Sequence, residues 1–351
     1  MTLNGAPVAE LRRRWQGDRQ RIEALHRQGT DGLTVAHAIA VAVEGVVLQA
    51  YAAAGPPARR LALAAVGGFG RSEMAPHSDV DLLFLFDRER DQSPGLVSAV
   101  LHPLWDLHFD VGHSSRTVAQ AVALARQDLE VCTSLLDARL LAGDEELFTR
   151  FRERLYGRLP RAALSRLQAW RGRRLENRDS VQLLEPHLKD SPGGLRDLQA
   201  VGWALQLGSA TPEVALLWPR YLDVEDRATL EAAARYLWRV RHELHLLTGR
   251  RRDLLEHELK PRVAAGLGYR DEGSELAAEA FMREYYLHAR GVWRVAELTL
   301  ERLSRRARGA HRSLALERGV LAVDGEIVLV DPAAWFSEDP VRLLRLFHLA
   351  Q

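Results

Sequence analysis

Residues 66–86 read Val66-Gly-Gly-Phe-Gly-Arg-Ser-Glu-Met-Ala-Pro-His-Ser-Asp-Val-Asp-Leu-Leu-Phe-Leu-Phe86, and the reading of this stretch decides the fold. The apolar run Leu61-Ala-Leu-Ala-Ala-Val66 that leads into it predicts a short buried strand. Gly67 and Gly68 break that strand and let the backbone come close to a bulky anion. Ser72-Glu-Met-Ala75 has room for roughly one helical turn before Pro76 ends it. A second strand is predicted over Val80–Phe86, headed by Asp79 and Asp81. Residues i and i+2 of a strand share a face, so the two carboxylates are expected side by side. Such a pair is costly unless a cation neutralises it, and hard oxygen donors favour Mg²⁺ or Mn²⁺. The plainer alternative is a surface turn with a solvated acidic strand start. It is disfavoured because aspartate is depleted in strands, and here two lead a run as apolar as Leu82-Leu-Phe-Leu-Phe86.

Two other phosphate-binding patterns fail. Gly68-Phe-Gly70 has no third glycine for a dinucleotide fingerprint, and Pro76 forbids the long helix that should follow. No Gly-x-x-x-x-Gly-Lys-Ser/Thr occurs.

The 351 residues are enough for two or three domains, and 47% hydrophobic with 27% charged residues is ordinary for a globular protein. A formal charge of +1 gives no global field for nucleic acid and argues against a polynucleotide partner. The single cysteine, Cys132, excludes a disulfide framework and a thiolate zinc site, and fits a reducing cytoplasm. The first residues carry no apolar signal core. Val35–Ala54 is the most apolar early stretch, but His37, Glu44 and Gln49 interrupt it. A core helix is expected there, not a membrane span.

In chain order, Leu11, Trp15, Ile22 and Leu25 mark an amphipathic helix over residues 8–27, and Leu33–Tyr51 a more buried one stopped by Gly55-Pro-Pro57. Residues 1–60 are therefore expected to be N-terminal helices packed on a core at 61–127. That core holds a helix at Val97–Trp105 and a third strand at Leu107-His-Phe-Asp-Val111. The order predicts an α+β fold: a small mixed sheet with its carboxylates at one edge of a cleft, followed by a predominantly helical domain. On the third strand Asp110 is the candidate third carboxylate, as metal ligand or general base, with a strand-end turn contact equally open. Ser114 or Ser115 can cap a helix starting near Thr117, and Arg116 suits phosphate oxygens.

From Val118 to about residue 310 the pattern is helical throughout, and 128–310 is expected to form the helical domain. Leu230, Ala234, Leu237, Arg241 and Leu244 keep the helical period, as do Phe281, Tyr285, His288 and Val292. His242-Glu-Leu-His245 lacks the spacing of a helical zinc motif, so its histidines are expected to be ordinary helix side chains. The tryptophans here are expected to pack. One segment breaks the run: Leu184-Glu-Pro-His-Leu-Lys-Asp-Ser-Pro-Gly-Gly-Leu-Arg-Asp197. Ser191-Pro192 looks like a helix start, Gly193 and Gly194 permit close backbone approach, and Lys189 and Arg196 flank a helix N-terminus of the kind that binds phosphate. A tight interhelix turn with Arg196 and Asp197 on its surface is the reading physics alone favours.

The glycine turn, short helix and Asp-x-Asp strand resemble the signature of the DNA polymerase β-like nucleotidyltransferases. A narrower resemblance follows from three segments in order: residues 66–83, Leu104-Trp-Asp with Val111-Gly-His-Ser-Ser-Arg-Thr117, and the Leu184–Asp197 segment. Together, and extending to Asp331-Pro-Ala-Ala-Trp335, they resemble the bacterial protein-PII uridylyltransferase family over nearly the whole chain. The resemblance implies transfer of UMP from UTP to a tyrosine of the PII signalling protein in nitrogen regulation, releasing pyrophosphate with Mg²⁺ or Mn²⁺. It implies that Asp79 and Asp81 are metal ligands, with Asp110 in the third place. Gly67, Gly68, Arg71 and Ser72 would then lie against the triphosphate, and Ser114, Arg116, Lys189 and Arg196 would contact nucleotide or protein substrate.

Full-length members continue into a hydrolase domain and glutamine-sensing domains. No histidine here is followed by aspartate, and residues 311–351 read as a hairpin around Val323-Asp-Gly-Glu326 and the start of a helix. The expectation is a piece that ends before the hydrolase domain and lacks deuridylylation and the glutamine response. Two other functions stay open: a protein adenylyltransferase of the glutamine synthetase-modifying type, and a catalytically silent module that binds PII or a nucleotide.

Overall fold

The computed structural model describes residues 5–57, 60–159, 162–175, 183–209, 221–307, 313–317, 320–323 and 326–329. The chain forms two compact units, Met1–Thr299 and Leu300–Gln351.

At the centre of the first unit is a four-stranded sheet: β1 (Leu61–Ala65), β2 (Val80–Phe86), β3 (Val111–Thr117) and β4 (Arg139–Gly143), in the order β3-β2-β1-β4. β1 pairs antiparallel with both β2 and β4, while β2 and β3 run parallel. A parallel pair needs a crossover, and here a helix supplies it: α4 (Pro94–Asp106), which tolerates Pro103 in its last turn. The expected mixed sheet is present. β1 and most of β2 are buried on both faces, which explains their unbroken apolar runs.

One face of the sheet packs on α1 (Gly5–Arg27), α2 (Gly32–Ala53) and α4, with Leu63, Leu82, Phe84 and Phe86 in the shared core. α2 is long and apolar enough to cross a membrane by composition. Its Val35, Ile39, Val43, Val46 and Val47 nevertheless lie in that core, each no more than 4% exposed, as expected of a core helix. Ala62, Ala64, Leu83 and Leu85 belong to the other face, where α5 (Val118–Gln127) packs on β3 and α7 (Glu145–Gly157) packs on β1 and β2. The two aspartates alternate with the first set of strand residues, so they sit on this second face.

Four expectations need correcting. The third strand is not 107–111: His108 has a left-handed backbone (φ 61°) that ends α4, and the strand begins at Val111. The polar residues Gly112–Arg116 therefore pair along β2 as an edge strand. Ser114 and Ser115 do not cap the next helix; Thr117 does, in a reciprocal capping box with Gln120. The helical turn expected at Ser72–Ala75 forms earlier, as α3 (Gly67–Gly70), and Ser72 follows it with φ 59°. The run after Val118 is interrupted by β4, which completes the sheet after α6 (Leu129–Leu136).

Among the described residues the further α-helices of this unit are α8 (Ala163–Leu175), α9 (Leu195–Ser209), α10 (Val224–Thr248), α11 (Lys260–Leu267) and α12 (Ala277–Ala307), the last running past Thr299. α10 is clamped by the N-terminal helices. Gly32 packs so closely that a Cβ there would lie 2.1 Å from the Arg239 nitrogen. Buried Glu243 also receives His26 Nε2 at 2.8 Å and Arg27 Nη1 at 2.6 Å. Arg241 lies on the same helix, and Gly249 (φ 64°) then turns the chain back through Arg251 and Asp253.

In the second unit β5 (Ser313–Glu317), β6 (Val320–Val323) and β7 (Glu326–Leu329) form an antiparallel sheet in that order. β6 and β7 flank the expected hairpin turn, whose residues 324 and 325, like the expected helix at 341–347, lie outside the described residues.

Candidate active site

The turn after β1 is built to face a carboxylate. Gly67 has φ +56°, and a Cβ there would sit 3.4 Å from Asp81 Oδ2. On the other side, a Cβ at Gly112 of β3 would sit only 2.4 Å from Asp81 Oδ1. Asp81 is thus seated between two glycine backbones, one per neighbouring segment. Ser78 shapes the approach: its Oγ accepts the Ala75 N–H at 2.9 Å, closing the turn that delivers Asp79. Burial, and next the charge of Asp79, push the Asp81 carboxyl above its usual range, while Lys189 and Arg251 pull it back. Asp79 forms an ion pair with Arg251 through Oδ2, and its Oδ1 is buried without a hydrogen-bond partner.

Both aspartates open into a cavity of about 270 Å³. Gly67 and Gly68 form one wall, and Arg71, Lys189, Arg196 and Arg241 converge from the others. The cations differ in how they are satisfied. Arg71 reaches Glu73 at 2.8 Å and also pairs with Asp137. Arg241 forms a two-pronged pair with buried Asp253, at 2.6 and 3.1 Å. Lys189 has no ion pair or hydrogen bond through its side chain among the described residues. Burial, then the charges of Arg196 and Arg241, push its ammonium down to about 8. Burial likewise lowers Arg196 to about 10, although Asp190 works in the opposite direction. A half-buried ammonium crowded by guanidiniums and lacking its own carboxylate is a site prepared for an anion.

Lys189 and Arg196 reach the cavity because the Leu184–Asp197 segment is rigidly tied. Leu188 N donates to Asp253 O at 2.7 Å and Leu255 N to Pro186 O at 2.9 Å, pairing the segment with the return strand after α10. Asp197 is buried, not on the surface as the turn reading had it. It accepts Gly193 N at 2.9 Å and a two-pronged pair from Arg171 at 2.8 and 3.1 Å. The glycines are not left open for a ligand: a Cβ on Gly193 would lie 1.9 Å from the Ala289 oxygen of α12.

The sequence-predicted residues thus divide. Asp79, Asp81, Gly67, Gly68, Arg71, Lys189 and Arg196 share the cavity. Asp110 precedes β3, its carbonyl accepting Val80 N at 2.8 Å, and its side chain lines the neighbouring groove. Its charge still bears on Asp81. Ser114 and Arg116 pair opposite Leu83 and Leu85, further along the sheet, and neither they nor Ser72 line the cavity. Among the described residues no three His, Cys, Asp or Glu side chains gather into one metal-binding group. His242 and His245 are fully buried, the latter 3.3 Å from Asp253.

Sequence reasoning missed Arg241, Arg251, Gly112 and the indoles of Trp170, Trp203 and Trp238. Trp203 donates to Asp137 at 3.0 Å and lies 5.7 Å beneath the Arg196 guanidinium, so it packs and also holds the cation wall. A signal for Arg241 existed: it occupies a helical-period position between Leu237 and Leu244, where an apolar residue is expected.

Residues 161–300 match the GlnD PII-uridylyltransferase family. The match is confined to that stretch of the chain. It is 37% identical over 92% of its length to a bifunctional uridylyltransferase/uridylyl-removing enzyme of Cereibacter sphaeroides, of which it covers 36%. Proteins of the same name in Phenylobacterium zucineum and Ralstonia nicotianae are also 37% identical, over 83% and 82% of the chain, with 33% and 34% of their own lengths covered. The chain therefore spans about a third of the length of these uridylyltransferase relatives. The family match takes in Lys189, Arg196, Arg241 and Arg251, the cationic wall of the cavity, while the two aspartates lie before it.

Proposed function

We propose that this chain transfers UMP from UTP to a tyrosine hydroxyl of the PII signalling protein, releasing pyrophosphate, in the cytoplasm. The observation that carries the reading is one cavity in which the unpaired Lys189 and the Arg196 guanidinium stand across from Asp79 and Asp81. The names of the relatives support the uridylyl group, and the family name supports PII as acceptor.

Asp79 and Asp81 would hold Mg²⁺ or Mn²⁺. The donor set is hard oxygen, and the buried Asp79 Oδ1 that lacks a partner fits a cation. When bound, such an ion supplies charge neutralisation at the transferring phosphorus and lowers the pKa of the attacking hydroxyl, which is about 10 for free tyrosine. Asp110, which lines the neighbouring groove and not the cavity itself, is the candidate to take the tyrosine proton. Lys189 and Arg196 bind the β- and γ-phosphates and stabilise the charge that gathers on the departing pyrophosphate. The Gly67–Gly68 turn gives the phosphates room beside Asp81. Three indoles, Trp170, Trp203 and Trp238, line the same cavity.

The test is label transfer from UTP to PII by the wild type and by Asp81→Asn, with a thermal-shift titration of UTP against ATP in Mg²⁺. Transfer by the wild type alone, with UTP preferred, is the expected result. A strict ATP preference would move the assignment to protein adenylylation. UTP binding without transfer would leave a silent module.

A further inference from the structure

A second concavity, of about 630 Å³, lies against the first. It runs between α1, the 74–78 turn, the 107–110 turn and the 249–251 turn. Among the described residues only Ser78 and Arg251 line both spaces, so the two meet beside Asp79. One face of α1, Arg12, Trp15, Gln16 and Arg19 at i, i+3, i+4 and i+7, forms a wall. Arg250 and Arg251 form the opposite rim, and the Trp15 and Phe109 rings, 4.8 Å apart, form an aromatic patch. Asp110 is the one carboxylate among the described lining residues. Arg19 and Arg250 have no ion pair among the described residues. The Arg19 charge reaches the groove, where, after burial, it helps hold His77 below its ordinary value.

We propose that this groove seats the acceptor, as a tyrosine-bearing loop that carries acidic side chains. The inference rests on the transferase reading above. In-line displacement puts the attacking and leaving oxygens on opposite sides of the phosphorus. With the phosphates held by Lys189 and Arg196, the hydroxyl has to arrive from the side where Ser78, Arg251 and Asp110 stand. The volume lies within the range of specific binding sites, roughly 300–1,000 Å³. The aromatic patch suits a phenol ring, and exposed, unpaired arginines around it select an acidic segment over a basic one. Arg251, now on Asp79, lies within reach of such a segment from either space.

The experiment uses the whole chain, UTP, Mg²⁺ and purified PII, comparing wild type with the double reversal Arg19→Glu/Arg250→Glu. Both residues are exposed, so folding is expected to survive, and circular dichroism with UTP thermal shift verifies it. Arg13→Glu, exposed on α1 but outside the groove, is the control. Expected is a rise in KM for PII of about tenfold or more, steepest at low salt, with UTP affinity unchanged and the control silent. An unchanged KM for PII overturns the groove alone, as does a matching loss of UTP affinity. A single-stranded oligoribonucleotide that competes with PII and itself takes up UMP overturns it in favour of a polynucleotide acceptor. A wild type that binds no UTP removes the transferase reading as well.

Discussion

Two glycine-bearing segments frame the cavity, and they use the absence of a side chain for opposite ends. Around Asp81, Gly112 leaves space that the carboxylate itself occupies and Gly67 supplies the left-handed turn facing it, at a strand end open to the cavity. At Gly193 and Gly194 the space is filled by protein: the Ala289 carbonyl on one side, and the Leu188, Lys189 and Ser191 carbonyls on the other. In the first segment glycine serves the chemistry directly. In the second it lets a loop lie flat under α12, and the side chains next to it, Lys189 and Arg196, serve the site. Similar composition therefore does not mean a similar role.

The largest effect expected from breaking this contrast is at Gly193. Alanine there needs φ +73° and meets the Ala289 oxygen at 1.9 Å, so either the loop or α12 must shift. A destabilisation on the order of 3 kcal/mol is expected, read by chemical denaturation, with UTP binding lost in parallel. An equally stable variant that binds UTP normally would show the loop to be looser than described.

Gly112→Ala should separate activity from stability. Its φ is ordinary and it lies on an exposed edge strand, but the new methyl would sit 2.4 Å from Asp81 Oδ1 and push the carboxylate aside. Transfer to PII is expected to fall by roughly 10²–10³ with little change in melting temperature, as for loss of a charge-stabilising group. A variant that keeps full activity would mean that Asp81 works from another rotamer.

Lys189→Ala probes the side chain the second segment delivers. Removing one charged contact to phosphate should raise the Kd for UTP about tenfold, measured calorimetrically, with the fold intact. A change in KM for PII alone would place Lys189 on the acceptor side of the aspartates.

How much of this was legible in the sequence follows from the range of each signal. Asp79 and Asp81 were legible because strand alternation is local and the following run is strongly apolar. Lys189 and Arg196 stood out through the Ser-Pro-Gly-Gly interruption of a helical stretch, although the fate of Asp197 did not: only its buried partner Arg171, on another helix, decides that. β3 was misplaced because an exposed edge strand of Gly-His-Ser-Ser-Arg has no apolar alternation to read. β4, five residues with Leu140-Leu141 at its centre, offers too short a run to tell from helix. Arg251 and Gly112 join the site only through tertiary approach, which no local period encodes.

The smallest effect sharpens the comparison through pH. Lys189 titrates near 8 in the free protein, well below a lysine's ordinary value near 10.5, because of burial and neighbouring guanidiniums. The unfolded chain therefore binds more protons than the native one between these values, and the site's contribution to stability rises with pH across that window. A bound triphosphate reverses the preference by favouring the charged ammonium. The stabilisation UTP confers should consequently shrink as pH rises from about 7 to 9, measured as a thermal shift at saturating Mg²⁺. In Lys189→Arg, whose guanidinium stays charged, that decline should flatten. A UTP shift that is independent of pH in the wild type would mean that Lys189 already has a counter-charge, and that the second segment presents no waiting cation.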